Sequence, residues 1–457
     1  MKKLVLAGLV LLASVVVLAG CKNDSVPEVT PAKLVSITVT PPTRTVYSEG
    51  DTFDSTGMIV TATYGDGKTR KVTGWTTNFD EVTREKGLKK EVTVSYTEGD
   101  NTEMSTFTVD VASYQFTETV QDMDSSYKGT ASAPSIPEVK NPIYKKFGDW
   151  PQTIKGGDVT VGSGTLVRGG LTYHVGNDGN YYVKVTANPY GNDYKYSDKS
   201  DVTEGSEVYF KVEPIIWRVL TEDYKVPGEN EEPQKALLLA ENILTGGIPY
   251  YVDGNERTIT GAGTDLDASN TVYPNNYKYS TIRAWLNGKY EDDDTQEKSY
   301  TNTGFLQTAF TTEAQGLIKP TTVDNSARST NPESNGEQWN SGKNVYACKN
   351  TSDEIFLLSE QEATMSDYGF ADYNVYVGDS KGTTTSTRIR VTTDYAKATG
   401  AYQDSEADYG GWWWLRSPSY RNEYNVRYVY KVGHAGNGSG VDSIPLGIVP
   451  ALSISLQ

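Results

Sequence analysis

The chain of 457 residues reads as a β-sandwich followed by an α+β domain. Three observations predict this. Apolar residues alternate with polar ones from about 34 to 112, with turn residues between the runs, as in half-buried strands of a small sandwich. From about 143 to 457 strand-like runs at both ends flank segments with helical spacing, which is the order of an α+β rather than an α/β domain. The composition is wet and β-rich, with 43 Gly, 32 Tyr, 5 Met and 37% hydrophobic residues. Lys plus Arg number 42 and Asp plus Glu 59, a net charge of −17, which argues against a nucleic-acid partner. Two Cys and two His exclude a disulfide framework and leave little for a His/Cys metal site.

The N-terminus comes first in chain order. Met1, Lys2 and Lys3 precede an apolar run from Leu4 to Leu18. Two cations before an apolar core too short to span a bilayer form a secretory signal. The run ends in Leu18-Ala19-Gly20-Cys21, which resembles the bacterial lipoprotein lipobox. The resemblance implies cleavage after residue 20 and lipidation of Cys21, hence a membrane partner held through acyl chains. Residues 21–33, with Pro27 and Pro31, read as a tether. The expected location is the cell envelope, on the outer surface rather than in the periplasm. With Cys21 lipidated, Cys348 has no intrachain partner and reads as a buried free thiol.

In the first folded unit, Val35, Ile37 and Val39 form one alternating set. Met58, Val60, Ala62 and Tyr64 form the next, closed by Gly65-Asp66-Gly67. Val92, Val94 and Tyr96 end at Glu98-Gly99-Asp100-Asn101, and Phe107, Val109 and Val111 finish the unit. The runs Leu34 to Val39, Tyr47 to Asp54, Gly57 to Gly67 and Val92 to Tyr96 resemble bacterial immunoglobulin-like domains, which implies a spacer or adhesion module without catalysis. Residues 113–142, with Ala131-Ser132-Ala133-Pro134-Ser135-Ile136-Pro137, carry no period and read as a linker.

In the large unit, Val208 to Val212, Ile216 to Leu220 and Ala236 to Ala240 predict strands. Ser280 predicts a cap for a helix through Ile282, Trp285, Leu286 and Tyr290. Thr312 with Gln315 predicts a capping box, as does Ser359 with Glu362, and Thr393 to Thr399 a brief helix ended by Gly400. Residues 153–207 are rich in Gly and Tyr and read as an inserted, hairpin-rich lobe. The runs Phe147 to Gln152, Trp217 to Leu220, Ser280 to Leu286, Phe356 to Ser359, Trp413 to Pro418 and Val449 to Leu452 resemble an uncharacterised domain family of bacterial surface lipoproteins. That family's Val-Arg-Pro is replaced here by Ile448-Val449-Pro450. The last three runs also resemble a C-type-lectin-like pattern.

Trp412, Trp413, Trp414 and Arg416 are the candidate ligand-binding residues, since a Trp face can stack on a sugar ring and Arg can meet a carboxylate. The competing reading places the tryptophans in the core. Asp404, Glu406 and Asp408 alternate before them and are a candidate calcium set, the one cofactor considered. Asp292-Asp293-Asp294 and Gly263-Thr264-Asp265-Leu266-Asp267 read as solvated loops. No phosphate-binding loop, His-Glu-x-x-His or Gly-x-Ser-x-Gly elbow is present, so no catalytic residue is assigned. The expected function is that of a non-catalytic binding or adhesion protein for a glycan or extracellular protein. An enzyme acting on envelope or host polysaccharide and a structural envelope protein are the alternatives.

Overall fold

The computed structural model describes residues 32–127, 129, 142–225, 235–258, 271–289, 299–327, 329–330, 344–370, 387–405, 410–435 and 437–455. Cys21, Glu406, Asp408, the three aspartates at 292–294 and residues 263–267 lie outside them. Among the described residues, no helix is long and apolar enough to cross a membrane. The protein is mostly β, with several antiparallel sheets.

The first unit holds two sheets. Leu34–Thr40, Ile59–Tyr64 and Thr69–Val72 form one; Val46–Ser48, Asn101–Ala112, Gly87–Glu98 and Thr76–Thr77 form the other. Val46–Ser48 runs parallel to Asp110–Ala112, and the other pairings are antiparallel. Ile37, Val60, Ala62, Val92, Val94, Phe107, Val109 and Val111 are buried together, as the alternation predicts. The first strand departs from it. A register shift between Leu34 and Ser36 buries Leu34 and Ile37 and leaves Val35 53% exposed. A bulge adds one residue to the strand and so moves the following side chains to the opposite face. Both turns fall as predicted: Gly67 has φ +80° and donates to Tyr64 O, and Gly99 has φ +59° between the paired Glu98 and Asn101.

Residues 113–127 are packed rather than free. Ser113 and Tyr114 donate their amides to Gly179 O, and the Phe116 ring stacks on Tyr181 at 5.0 Å. The Thr117 amide and hydroxyl donate to the buried Asp149 carboxylate, and Gln121–Asp122 pairs with Tyr144–Ile154. Residues 130–141 lie outside the described set.

The large unit is organised by one nine-stranded sheet. Its longest strand, Glu207–Thr221, pairs with Tyr144–Ile154, Tyr181–Thr186 and Lys235–Ala240. Ala451–Ser455 adds beside Lys235–Ala240, and Ile355–Phe356 adds beside Ala451–Ser455. Ala236 to Ala240 are buried on both faces, which explains their unbroken apolar run. The Tyr/Gly-rich stretch is part of this sheet, not a lobe beside it. Leu166–Arg168, Leu171–Val175 and Tyr181–Thr186 extend the sheet outward from Glu207–Thr221, with Tyr173, Tyr181, Tyr182 and Tyr196 in the interior.

This stretch also receives the first unit. Val46 and Ala112 belong to the large unit's core, and Ser48 Oγ lies 2.9 Å from Tyr181 Oη. The Gly164 amide donates to Asp110 at 2.9 Å, and Lys86 Nζ to Asp178 O at 2.8 Å. At Gly162 and Gly164 a Cβ would collide with the Asp110 carboxylate, so the close approach requires glycine.

The helices are short, the longest described being Thr281–Asn287. Its Ser280 cap accepts from the Arg283 amide at 3.2 Å, and Gly288 ends it with φ +60°. Trp150 of the sheet packs against Trp285, Phe305 and Tyr395 of three helices. The Ser359–Glu362 box is reciprocal: the Glu362 amide donates to Ser359 Oγ at 3.1 Å, and the Ser359 amide to Glu362 at 2.8 Å. Thr393 caps Asp394–Ala398, and Gly400 follows at φ +103°. For Thr312–Gln315 the cap is Thr311, not Thr312, because its hydroxyl lies three residues before the free Ala314 amide.

Candidate functional site

The tryptophan run enters the three-stranded sheet formed by Trp413–Pro418, Asn425–Val429 and Asn437–Gly440. Trp413 and Trp414 are each 0% exposed. Trp413 donates Nε1–H to Arg388 O at 3.1 Å, and Trp414 packs on Tyr250. Neither ring offers a face to a ligand, so the candidate platform loses two of its three tryptophans to the core. Alternation does put them on opposite faces of the strand, but both faces are covered.

Arg416 is 1% exposed and is likewise a framework group. Its guanidinium donates to Glu362 at 2.5 Å, to Leu357 O at 2.7 Å, to Asp324 O at 3.0 Å and to Asn325 at 3.2 Å. It joins three separate stretches of chain, and its buried guanidinium is closed to a ligand carboxylate. Burial alone would raise the Glu362 carboxyl, but the Arg416 charge and hydrogen bond hold it below its ordinary value.

Trp412 differs. It is partly buried and stacks on Tyr402 at 3.9 Å with the rings 11° apart. Tyr430 lies at 5.6 Å and 22°, Tyr428 at 6.2 Å and Tyr190 at 6.4 Å. Tyr194 packs edge-on against Tyr402. These rings come from three places: the Tyr/Gly-rich stretch, the loop at 401–405 and the small sheet. Tyr190 is 51% exposed, the only aromatic residue among the exposed large apolar side chains of the described residues. Sequence reasoning did not assign Tyr190, Tyr194, Tyr402, Tyr428 or Tyr430 to a site. The one available signal was the alternation of Tyr428 and Tyr430, which puts both on one strand face.

Asp404 sits under the cluster with its carboxylate taken. Tyr402 Oη–H and Lys431 Nζ each donate to Asp404 Oδ2 at 2.8 Å. Burial and this hydrogen bond push the Tyr402 hydroxyl well above its ordinary value, and burial pushes Tyr194 up to about 12. Of the alternating acids read as calcium ligands, Asp404 alone is described, and it is ion-paired. Among the described residues no three His, Cys, Asp or Glu side chains are grouped to hold a metal.

A second buried acid lies beside the tryptophan strand. Glu360 is 1% exposed, its carboxylate 3.2 Å from Arg427 Nε. Burial raises its pKa to about 7, with Arg427 opposing the shift.

Residues 233–456 match the model of a domain of unknown function, DUF6273. The C-terminal part of the chain is therefore such a domain. The match begins just before Lys235–Ala240, so the strands from Tyr144 to Thr221 that complete its sheet lie upstream of it. Comparisons with curated proteins and with solved structures return no match.

Proposed function

We propose that the protein is a lipid-anchored envelope protein that binds a surface partner, a glycan or a protein, without catalysis. Cys21 carries the anchor and the outer surface is its place. The first unit is read as an immunoglobulin-like spacer, and the last segment of the large unit as C-type-lectin-like. Two facing sheets that share one apolar core, and a short parallel pairing of an early strand with the last, favour the spacer reading. The observation that carries the binding reading is the aromatic cluster around Trp412, with Tyr190 exposed at its edge. Three stretches of chain build this face, and none would form it alone.

The enzyme reading would need an accessible acid with a shifted pKa. Glu360 has the shift but is enclosed beside Arg427, where no substrate reaches it. A glycan and extracellular-matrix array probed with the full chain tests the proposal. Saturable binding that disappears in Trp412→Ala supports it. Binding that survives in that variant moves the face elsewhere, and binding to nothing refutes it. Trp413→Ala would be a poor probe, since that ring is a core residue.

A further inference from the structure

We infer that the Trp412 cluster takes an uncharged sugar chain, with Tyr190 as the ring on which a pyranose face rests. This deepens the binding reading above and depends on it. Three observations select the chemistry. The first is the ring set itself. Aromatic faces flank a solvent-exposed tyrosine, and the apolar C–H face of a sugar ring stacks on such a surface without an ionic contact.

The second is charge. Among the described residues, Asp404 and Lys431 beside the rings neutralise each other at 2.8 Å, and the same carboxylate oxygen also holds the Tyr402 hydroxyl. That pair presents little net charge to an ionic ligand. The whole chain at −17 repels polyanions, so acidic and sulfated polymers are disfavoured before contact.

The third is rigidity. The segment that carries Tyr190 is pinned on both sides. Before it, Ala187 N donates to Ser206 O at 2.8 Å and Asn188 N to Ala398 O at 2.7 Å, just before the loop that carries Tyr402; after it, Val202 N donates to Tyr194 O at 2.9 Å. Gly191 lies against the Tyr194 ring, where an added Cβ would stand 3.0 Å from it. An exposed ring held in place before binding loses little freedom on contact, which is how a small aromatic surface gains useful affinity.

The test titrates the full chain by tryptophan fluorescence. The neutral probes are hexasaccharides of β-1,4-glucose, β-1,4-mannose, β-1,4-xylose and β-1,4-galactose. The charged probes are hyaluronan, polygalacturonate and heparin. The expected result is a saturable change with a neutral hexasaccharide, weakened roughly tenfold in Tyr190→Ala and restored in Tyr190→Trp. Binding confined to the charged polymers overturns the inference, as does neutral-sugar binding indifferent to Tyr190→Ala. Failure of every neutral probe also overturns it. In that case an array on which a protein ligand is lost with Tyr190→Ala leaves the binding face standing and removes only the sugar.

Discussion

The two halves of the molecule bury different things. In the first unit the shared interior is Leu, Ile, Val, Ala, Tyr and Phe, and the one carboxylate buried there, Asp110, faces the other unit. In the DUF6273 domain the interior also holds Arg388, Arg390, Arg416 and Arg427, together with Glu241, Glu360, Glu362, Asp353 and Asp394. Apolar alternation is a local signal, because strand geometry fixes which residue faces inward. A buried ion pair is a long-range one: Glu362 and Arg416 are 54 residues apart in sequence. The first unit is thus specified by pattern and the second by partnership.

The sharpest way to break this comparison is to remove one member of such a pair. Arg416→Met leaves Glu362 buried without its cation and frees the carbonyls of Asp324 and Leu357. A loss of about 3–5 kcal/mol is expected from an uncompensated buried charge. Urea unfolding followed by tryptophan fluorescence would measure it. The double variant Arg416→Met with Glu362→Leu should recover much of the loss, because no charge is then stranded. If the single variant unfolds like the parent, the pair is ornamental and the contrast between the halves fails.

A smaller effect separates Glu360 from Glu362. The two carboxyls are two residues apart, yet one is raised to about 7 and the other lowered. The difference lies in the contacts: Glu362 accepts from Arg416, Tyr224 and the Ser359 amide, whereas Glu360 relies on Arg427 alone among its charged neighbours. A folded-state pKa above the ordinary carboxylate value means that the folded protein binds the proton more tightly. The stability this contributes is complete below about pH 4.5 and is lost as pH rises through about 7. Nearby His434 is held below its ordinary value by burial and by Arg388 and Arg427, so it stays neutral across the upper part of this window. Between pH 5.5 and 8 the protein should lose about 2 kcal/mol through Glu360. Glu360→Gln should remove that slope, as read from paired denaturant titrations at the two pH values. An unchanged slope would assign the pH dependence to other groups.

The same contrast accounts for what the sequence disclosed. The four alternating strands of the first unit, their two tight turns, the Ser280 and Ser359 caps and the Ala236 to Ala240 strand follow from local rules and were legible, whereas the short strands Val46–Ser48, Thr69–Val72 and Thr76–Thr77 carry too few alternating residues to be seen. Val35 was misread because a one-residue bulge is invisible to a period-two count. The Tyr/Gly-rich stretch was misread as a lobe because membership of a sheet depends on a partner strand far along the chain. Trp413, Trp414 and Arg416 were open to both a surface and a core reading, because residue type does not report burial. Trp412, in the same run, remains at a surface only because the strand begins after it and its ring meets tyrosines from distant segments.

The smallest expected effect is therefore the most discriminating one for that face. Tyr190 is half exposed and touches the cluster through ring contacts beyond 6 Å, so Tyr190→Ala should change stability by no more than about 0.5 kcal/mol. Trp414→Ala, a core truncation a few residues from Trp412, should cost about 3–5 kcal/mol. Measured side by side by thermal and urea unfolding, the two variants divide the aromatic residues into those kept for folding and those free for another use. A large loss in Tyr190→Ala would place its ring among the framework residues. A stability indistinguishable from the parent would mean that an exposed tyrosine, held rigidly beside a stacked tryptophan, is not there to hold the fold together.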